Sequence, residues 1–292
     1  MTCSDAGHRA LCLGAAARGE LAGAVVLRVH SVFAGTVNLE AGPARRLVAL
    51  GGPGASGLAH AVALEREVDF RGWELAPGGP AWLAGEVLHL RGRGRGFSVA
   101  LGGARRLPQR PVPPVAGSAP ALRACAARLS AIQAAGGFDL RLEAAPLTAA
   151  GARLRQAARA LAAAARPGPG RPGLGAAVAA LVGLGPGLTP AGDDFLGGFL
   201  AAARARGQAG LLAQLGAAVE ARLGATGELS AGLLRWMLLD HWPGPLLDLA
   251  EALQGPEPPA LQALEALCRM GHSSGADLAT GFLSGLGALS AG

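Results

Sequence analysis

The sequence predicts an α+β fold in which a mostly-β N-terminal part, forming a small sheet or barrel, is followed by a C-terminal all-α helical bundle. Two observations support this prediction. Short apolar stretches separated by glycine and proline fill the first third of the chain, and apolar residues at helical spacing fill the remainder. A chain of 292 residues, of which 51% are hydrophobic, is long enough to bury a sizeable core.

The N-terminal part, residues 1–115, contains six candidate strands. They lie at residues 24–30, 31–39, 46–50, 59–64, 82–90 and 97–101. Strands at such short intervals are typical of a compact antiparallel sheet or a small barrel. Residues 110–120 contain four prolines and are predicted to be a linker.

The C-terminal part, residues 121–292, is predicted to form a helical domain. Its nine candidate helices lie at residues 121–135, 148–165, 174–181, 190–206, 211–223, 228–240, 246–253, 259–270 and 275–289. Their alanine-rich faces would allow the helices to pack closely. We therefore expect the two halves of the chain to form separate β and α domains.

The basic residues exclude several kinds of chemistry. All 26 of them are arginine, and the chain has neither lysine nor tyrosine. A Walker A lysine, a Schiff-base lysine and a tyrosine acid or nucleophile are therefore excluded. The net charge of +6 is modest and the arginines are scattered, which argues against a nucleic-acid surface. An anion would have to be bound by arginine, by backbone amides or through a metal.

Cysteine usage and hydropathy predict a cytoplasmic protein. The four cysteines, Cys3, Cys12, Cys125 and Cys268, are widely spaced and lack a zinc-ligand pattern. The alanine-rich stretch near the N-terminus is too short for a secretory signal and ends at Arg18. No apolar run reaches the ~18 residues that span a bilayer, so no membrane association is expected.

The most unusual segment is residues 183–198, which read G-L-G-P-G-L-T-P-A-G-D-D-F-L-G-G. We interpret it as a glycine-rich loop leading into a helix, with Thr189 as the N-cap and the following proline at the first helical position. Gly185, Gly187 and Gly192 would allow backbone amides to approach a ligand closely. The helix dipole favours an anion at this point, so the segment predicts an anion site without lysine.

Asp193 and Asp194 lie in the first turn of that predicted helix and allow three interpretations. They could complement the helix dipole, they could bind Mg²⁺ beside a phosphate, or one of them could act as a base. The sequence alone leaves these alternatives open.

A second segment resembles the first. Residues 190–200 read P-A-G-D-D-F-L-G-G-F-L and residues 273–283 read S-S-G-A-D-L-A-T-G-F-L, which match at five positions. Asp194 corresponds to Asp277 in this comparison. We therefore predict that two similar helix N-termini face one pocket, with these two aspartates on opposite walls. A capping box formed by Ser274 and Asp277 is the simpler structural explanation of the second segment.

Three further polar residues have two explanations each. Asn38 lies among apolar residues and would either bind a ligand or form a turn. Thr226 and Ser230 begin another predicted helix, where either could offer a hydroxyl group, although capping is the expected role of Thr226. No spacing typical of a Ser/His/Asp triad is present.

Four segments together resemble the AllH-like family. The segment at residues 183–198 is similar to its hallmark G-x-G-P-G-L-T-P-[SA]-G-D-D-F-L-x-G. The G-H-S-S-G-x-D segment at residues 271–277, the V-F-x-x-x-x-N-L segment at residues 32–39 and the T-x-x-L-S-like stretch at residues 226–230 also agree. Residues 238–243 depart from the resemblance, because a smaller helix end is expected there.

The resemblance implies a subunit of an oxamate carbamoyltransferase, which transfers a carbamoyl group between oxalurate and phosphate and gives oxamate and carbamoyl phosphate. It also implies FdrA-like and AllG-like protein partners and a small anionic substrate. Two alternatives remain open, a non-catalytic assembly subunit and a Mg²⁺-dependent phosphoryl or nucleotide enzyme that uses the aspartate pair. No cofactor is expected, although Mg²⁺ is compatible with the acids.

The candidate site combines these segments. The expected catalytic residues are the three acids of the two similar helix starts, Asp193, Asp194 and Asp277. The expected substrate-binding residues are those with a flexible backbone or a small polar side chain near these acids, together with the isolated asparagine: Gly185, Gly187, Thr189, Gly192, Asn38, His272, Ser273 and Ser274.

Overall fold

A computed structural model describes residues 6–23, 26–116, 119–134, 149–166 and 173–289. Cys3 and residue 148, at which the second predicted helix begins, lie outside these ranges. The chain divides into two compact units, Met1–Arg110 and Pro111–Gly292, and each has a hydrophobic core of its own. The first unit is mostly β and the second is helical, so the predicted α+β class is confirmed.

The first unit contains nine strands and one α-helix in its described part. The strands are β1 (Ala6–Leu13), β2 (Leu27–Val32), β3 (Thr36–Ala41), β4 (Arg46–Gly51), β5 (Ala61–Leu64), β6 (Pro80–Ala84), β7 (Val87–Arg91), β8 (Gly96–Ala100) and β9 (Arg105–Arg106). Helix α1 (Ala15–Gly23) follows β1 directly and packs on β4 and β5.

These strands form one mixed sheet in the order β5-β4-β3-β2-β6-β7-β8-β1-β9. Strand β1 also pairs with β5, so eight strands close into a ring and β9 is added beside β1. The pairs β1–β8, β1–β9 and β4–β5 are parallel. The small barrel was predicted, whereas the expectation of an antiparallel sheet is wrong for these three pairs.

Two of the predicted strands are hairpins. The segment predicted as one strand at residues 31–39 contains the end of β2, a turn and most of β3. The segment at residues 82–90 likewise turns at Gly85, which has a φ of 60°. Strand β1 and helix α1 were not predicted, because alanine and glycine are frequent in this stretch and leave neither a clear strand alternation nor a clear helical apolar face.

The described part of the second unit forms nine α-helices. They are α2 (Ala119–Ala134), α3 (Ala149–Ala165), α4 (Leu174–Leu181), α5 (Ala191–Ala205), α6 (Ala209–Glu220), α7 (Glu228–Leu238), α8 (Gly244–Ala252), α9 (Glu257–Cys268) and α10 (Ser274–Ala288). Each predicted helix has its counterpart here, with ends that differ by a few residues, as is usual for helix termini.

Helix α5 lies at the centre of this unit, and almost all of its residues are buried. It packs most extensively on α10 among the described elements. A Cβ atom added to Gly198 would lie 2.0 Å from the carbonyl oxygen of Leu278, and one added to Gly281 would lie 2.0 Å from that of Phe195. The two backbones therefore approach each other closely, and this brings the starts of the two helices together.

Within the described ranges, the structure contains no helix with the length and apolar character that a bilayer-spanning segment requires.

Candidate functional site

The starts of α5 and α10 are built in the same way. The Gly192 amide donates a hydrogen bond to the Leu184 carbonyl (2.8 Å), and the Gly275 amide donates one to the Met270 carbonyl (3.0 Å). In both places the preceding helix turns back through a short loop before the buried helix begins. The similarity that the two segments show in sequence is therefore a similarity in structure.

Only glycine has room at the equivalent position in each start. A Cβ atom on Gly192 would lie 2.1 Å from the Leu181 carbonyl oxygen, and one on Gly275 would lie 1.9 Å from the Leu267 carbonyl oxygen. The end of α4 thus contacts the first turn of α5, as the end of α9 contacts the first turn of α10. This contact fixes the orientation of each buried helix relative to the helix that precedes it.

The loop before α5 is the longer of the two. Gly192 follows Leu184 by eight residues, whereas Gly275 follows Met270 by five. The extra length belongs to a turn at residues 185–189, which we call the amide turn. Its glycines have positive φ angles, 127° at residue 185 and 93° at residue 187, as the flexible loop in the prediction requires.

The amide turn presents unpaired N–H groups. Pro186 has no amide hydrogen, and the amides of residues 185, 187, 188 and 189 find no acceptor within the described part of the chain. In this turn, residues with positive φ alternate with residues with negative φ. Successive amides in such a turn, at the N-terminus of a helix, form a concave surface that suits an anion. The turn is partly to fully exposed, so an anion would reach it from solvent.

A pair of hydroxyl groups joins the two helix starts. Thr189 Oγ1 and Ser274 Oγ lie 2.7 Å apart, although the two residues are separated by 85 positions in sequence. The predicted capping roles are wrong, since Pro190 and Ser273 are the N-caps of α5 and α10 and neither helix has a side-chain cap. The hydroxyls of Thr189 and Ser274 pair across the junction instead of capping their own helices.

Asp194 lies at this junction. Its side chain is buried, and its Oδ2 atom has no hydrogen-bond partner in the described structure. Burial and then the negative charge of Asp277 raise the pKa of Asp194 well above its ordinary value, while the hydroxyls of Ser274 and Thr189 act in the opposite direction. Asp277 therefore lies close enough to Asp194 to affect its ionisation.

Asp277 is more deeply buried than Asp194. It is 1% exposed, and neither carboxyl oxygen has a hydrogen bond of regular geometry with any described residue. Burial raises its pKa to about 7, and the nearby Ser273 hydroxyl opposes this shift. A buried carboxyl group without partners is costly when ionised, which makes this residue a candidate for function.

Asp193 has a different environment. Its Oδ1 accepts a hydrogen bond from the Gly183 amide (2.8 Å), and its Oδ2 accepts from the hydroxyls of Ser230 (2.7 Å) and Thr226. The expectation that Thr226 caps its helix is wrong, because Gly227 is the N-cap of α7 and the Thr226 hydroxyl binds Asp193. Asp193 therefore holds the start of the loop against α7, a contact that was not predicted from the sequence.

The remaining predicted residues differ in their placement. His272 is exposed on the loop before α10. Asn38 lies in the first unit, within β3, and donates a hydrogen bond to Ser31 on β2 (3.0 Å). The turn-forming explanation of Asn38 is wrong, since the residue is inside a strand. Its role as a ligand-binding residue stays a prediction.

The nearest thiol is not activated. Cys268 is half-buried at the end of α9, and burial, Glu265 and then Asp277 raise its pKa to about 11. A thiol with this pKa is protonated at neutral pH and is a poor nucleophile. The unpartnered oxygens of Asp194 and Asp277 are carboxylate oxygens, the type of ligand that Mg²⁺ prefers.

The chain was compared with known protein families and with solved structures. No solved structure matches the chain. The model of the family described as "Oxamate carbamoyltransferase subunit AllH" matches residues 181–286. This range contains the amide turn, both helix starts and all three aspartates. Over residues 181–286, the chain matches the AllH family, and the predicted resemblance is confirmed there.

Proposed function

We propose that this protein is an AllH-like subunit of an oxamate carbamoyltransferase-type complex and binds a small carbamoyl-bearing anion between the amide turn and the Asp194–Asp277 pair. The observation that carries the proposal is the set of unpaired amides at residues 185–189 beside two buried acids with free oxygens. The family match over the same segment supports the reaction type.

The amide turn suits the anionic end of such a substrate. Its N–H groups provide fixed donors at the N-terminus of α5, where the helix dipole favours negative charge. They would bind a phosphate or carboxylate group and would also stabilise charge that develops during carbamoyl transfer. Lysine is not needed for this, which agrees with a chain that has none.

The two acids suit the uncharged end. A carbamoyl group ends in NH₂, and its N–H bonds require acceptors when they are buried. Asp194 Oδ2 and the two oxygens of Asp277 are acceptors without a partner among the described residues. We infer that Ser273 and Ser274 complete this end of the site and that Asp193 keeps the loop in place without contacting substrate.

The second candidate, a purely structural role in an assembly, receives less support. Buried acids in a structural device would normally be neutralised by ion pairs. In the described residues, no ion pair involves Asp193, Asp194 or Asp277.

We propose FdrA-like and AllG-like proteins as the partners with which this subunit works.

Titration calorimetry with oxamate and pyruvate tests the proposal. Both are small carboxylates, but only oxamate carries an NH₂ group, so the wild-type protein should bind oxamate at least about tenfold more tightly. Gly187→Ala should weaken both ligands because it strains the amide turn. Gly173→Ala is the matched control, since residue 173 has a similar positive φ and similar free space but lies at the start of α4.

The outcomes separate the alternatives. Equal binding of oxamate and pyruvate would contradict recognition of the carbamoyl end. Binding of neither anion would contradict an anion site in the isolated subunit. Binding of phosphate only in the presence of Mg²⁺, lost in Asp194→Asn, would favour the Mg²⁺-dependent phosphoryl enzyme instead.

A further inference from the structure

The Asp194–Asp277 pair has a feature that anion binding alone does not explain. Both carboxyl groups are at least nine-tenths buried, and three of their four oxygens have no hydrogen-bond partner in the described structure. Two ionised carboxylates in such a place would repel each other with little water to screen the charge. A proton on the pair removes this repulsion.

The local geometry places the pair beside the proposed substrate. Asp194 is within reach of the Thr189 and Ser274 hydroxyls, and Thr189 is the last residue of the amide turn. Asp277 follows Ser274 by three residues on α10, which places the two side chains on one face of the helix. The two acids and the amide turn thus surround the same hydroxyl junction.

The charged groups around the pair do not neutralise it. Asp193 on α5 adds negative charge at Asp194, and Cys268 on α9 lies close enough for Asp277 to raise its pKa. The buried Arg155 on α3 shifts neither acid. Two arginines act on the neighbouring Cys268: Arg128 on α2, whose guanidinium pairs with the Glu265 carboxylate on α9, and Arg269, which is exposed.

We infer that Asp194 and Asp277 share one proton and act together as the acid and the base of the carbamoyl transfer. A phosphate oxygen attacks the carbamoyl carbon while the bond from that carbon to the leaving nitrogen breaks. The pair takes the proton of the attacking phosphate hydroxyl and gives its own proton to the leaving nitrogen. One proton enters and one leaves, so the pair ends in its starting state.

This inference rests on the proposed function, and its test has a readout that needs no substrate. Infrared difference spectra of the full chain between pH 5 and pH 9 should show a protonated carboxyl band that disappears in two steps. Each of Asp194→Asn and Asp277→Asn should leave one step, and the double variant should leave none. Asp248→Asn, on the exposed face of α8, is the control and should keep both steps.

A second measurement links the proton to the anion. Oxamate does not itself titrate near neutral pH, so calorimetry at pH 7.5 in buffers of different ionisation enthalpy reports proton uptake by the protein. Wild type should take up a fraction of a proton when it binds oxamate. The double variant lacks the carboxylate acceptors and should bind oxamate more weakly, and it should take up no proton at oxamate concentrations that saturate it. Substitution of the acids by asparagine keeps their shape, so the two single variants and the double variant are expected to fold.

The results distinguish the two proposals. Absence of a protonated carboxyl band above pH 5 would overturn the shared proton. A band together with oxamate binding but no proton uptake would overturn the acid–base assignment. A band without any oxamate binding would contradict the proposed function and support the shared proton by itself.

Discussion

Gly198 and Gly281 occupy equivalent positions on two helices, and each lies against the backbone of the other helix. The carbonyl oxygens that face them belong to Leu278 and Phe195, and each lies 2.0 Å from the position of an added Cβ atom. The two contacts are equivalent because the two segments are similar and pack on each other through the same surface. It places the first turns of α5 and α10, with their aspartates, side by side.

Gly281→Ala should therefore be strongly destabilising. The methyl group has no space, and α5 and α10 would have to separate, so we expect a loss of more than about 3 kcal/mol in the free energy of unfolding. Gly287→Ala, on the exposed face of the same helix, has free space and should be neutral or stabilising by up to about 1 kcal/mol. Urea unfolding followed by tryptophan fluorescence measures both, and equal effects would contradict the close approach.

Asp193→Ala should destabilise the protein by about 3 kcal/mol, because it leaves the Gly183 amide and two hydroxyls without their acceptor. Glu220→Ala removes an exposed carboxylate at the end of α6 and should change the stability by less than about 0.5 kcal/mol. Chemical denaturation of the two variants at one pH gives the comparison. A small effect of Asp193→Ala would show that the loop does not depend on this contact.

Asp277→Asn should change how stability depends on pH. The pKa of Asp277 is about 7 in the folded protein against an ordinary 3.8, so the folded state holds the proton more tightly than the unfolded state. The stabilisation from this proton is complete below about pH 4 and is lost as the pH rises through 7. The asparagine variant lacks this loss.

The difference between the two proteins gives the measurement. From pH 4 to pH 8, the free energy of unfolding of Asp277→Asn should rise relative to wild type, by at most about 4 kcal/mol. Thermal unfolding across this range at constant ionic strength tests it. Parallel curves for variant and wild type would show that Asp277 is ionised normally.

Thr189→Val should weaken oxamate binding roughly five- to tenfold and cost about 1 kcal/mol of stability, since the hydroxyl pair with Ser274 is lost. Because the Thr189 hydroxyl lowers the pKa of Asp194, the variant should also hold a proton on Asp194 to a higher pH. Thr189→Ser keeps the hydroxyl and should behave like wild type. If both variants bind oxamate equally, the hydroxyl has no part in the site.

The helical unit was largely predictable because its helices carry strong apolar periodicity. All nine helices were expected, and the two similar segments do lie together at their helix starts, where Thr189 Oγ1 is 2.7 Å from Ser274 Oγ. In the first unit, β1 and α1 were not predicted. The alanine and glycine of this stretch give a weak apolar pattern, and β1 depends on pairing with the distant strands β5 and β8.

The predictions of helix caps were wrong where a side chain forms its hydrogen bond with a residue that is distant in sequence. Thr189, Thr226 and Ser274 all have the residue type and position of helix caps, and none of them caps a helix. Their hydroxyls instead reach groups that lie 33 or 85 positions away in the chain. Capping preferences describe a helix end in isolation, and they yield when a buried partner is available from another helix.

The unequal length of the two loops gives the site a direction. If the two helix starts were identical, the site between them would have two identical ends. The longer loop before α5 adds a turn of free amides on one side only, while the side of α10 offers a buried acid. Under the proposed function, a molecule with one charged and one neutral end would bind here in a single orientation, which is the geometry that transfer of a group from a fixed position requires.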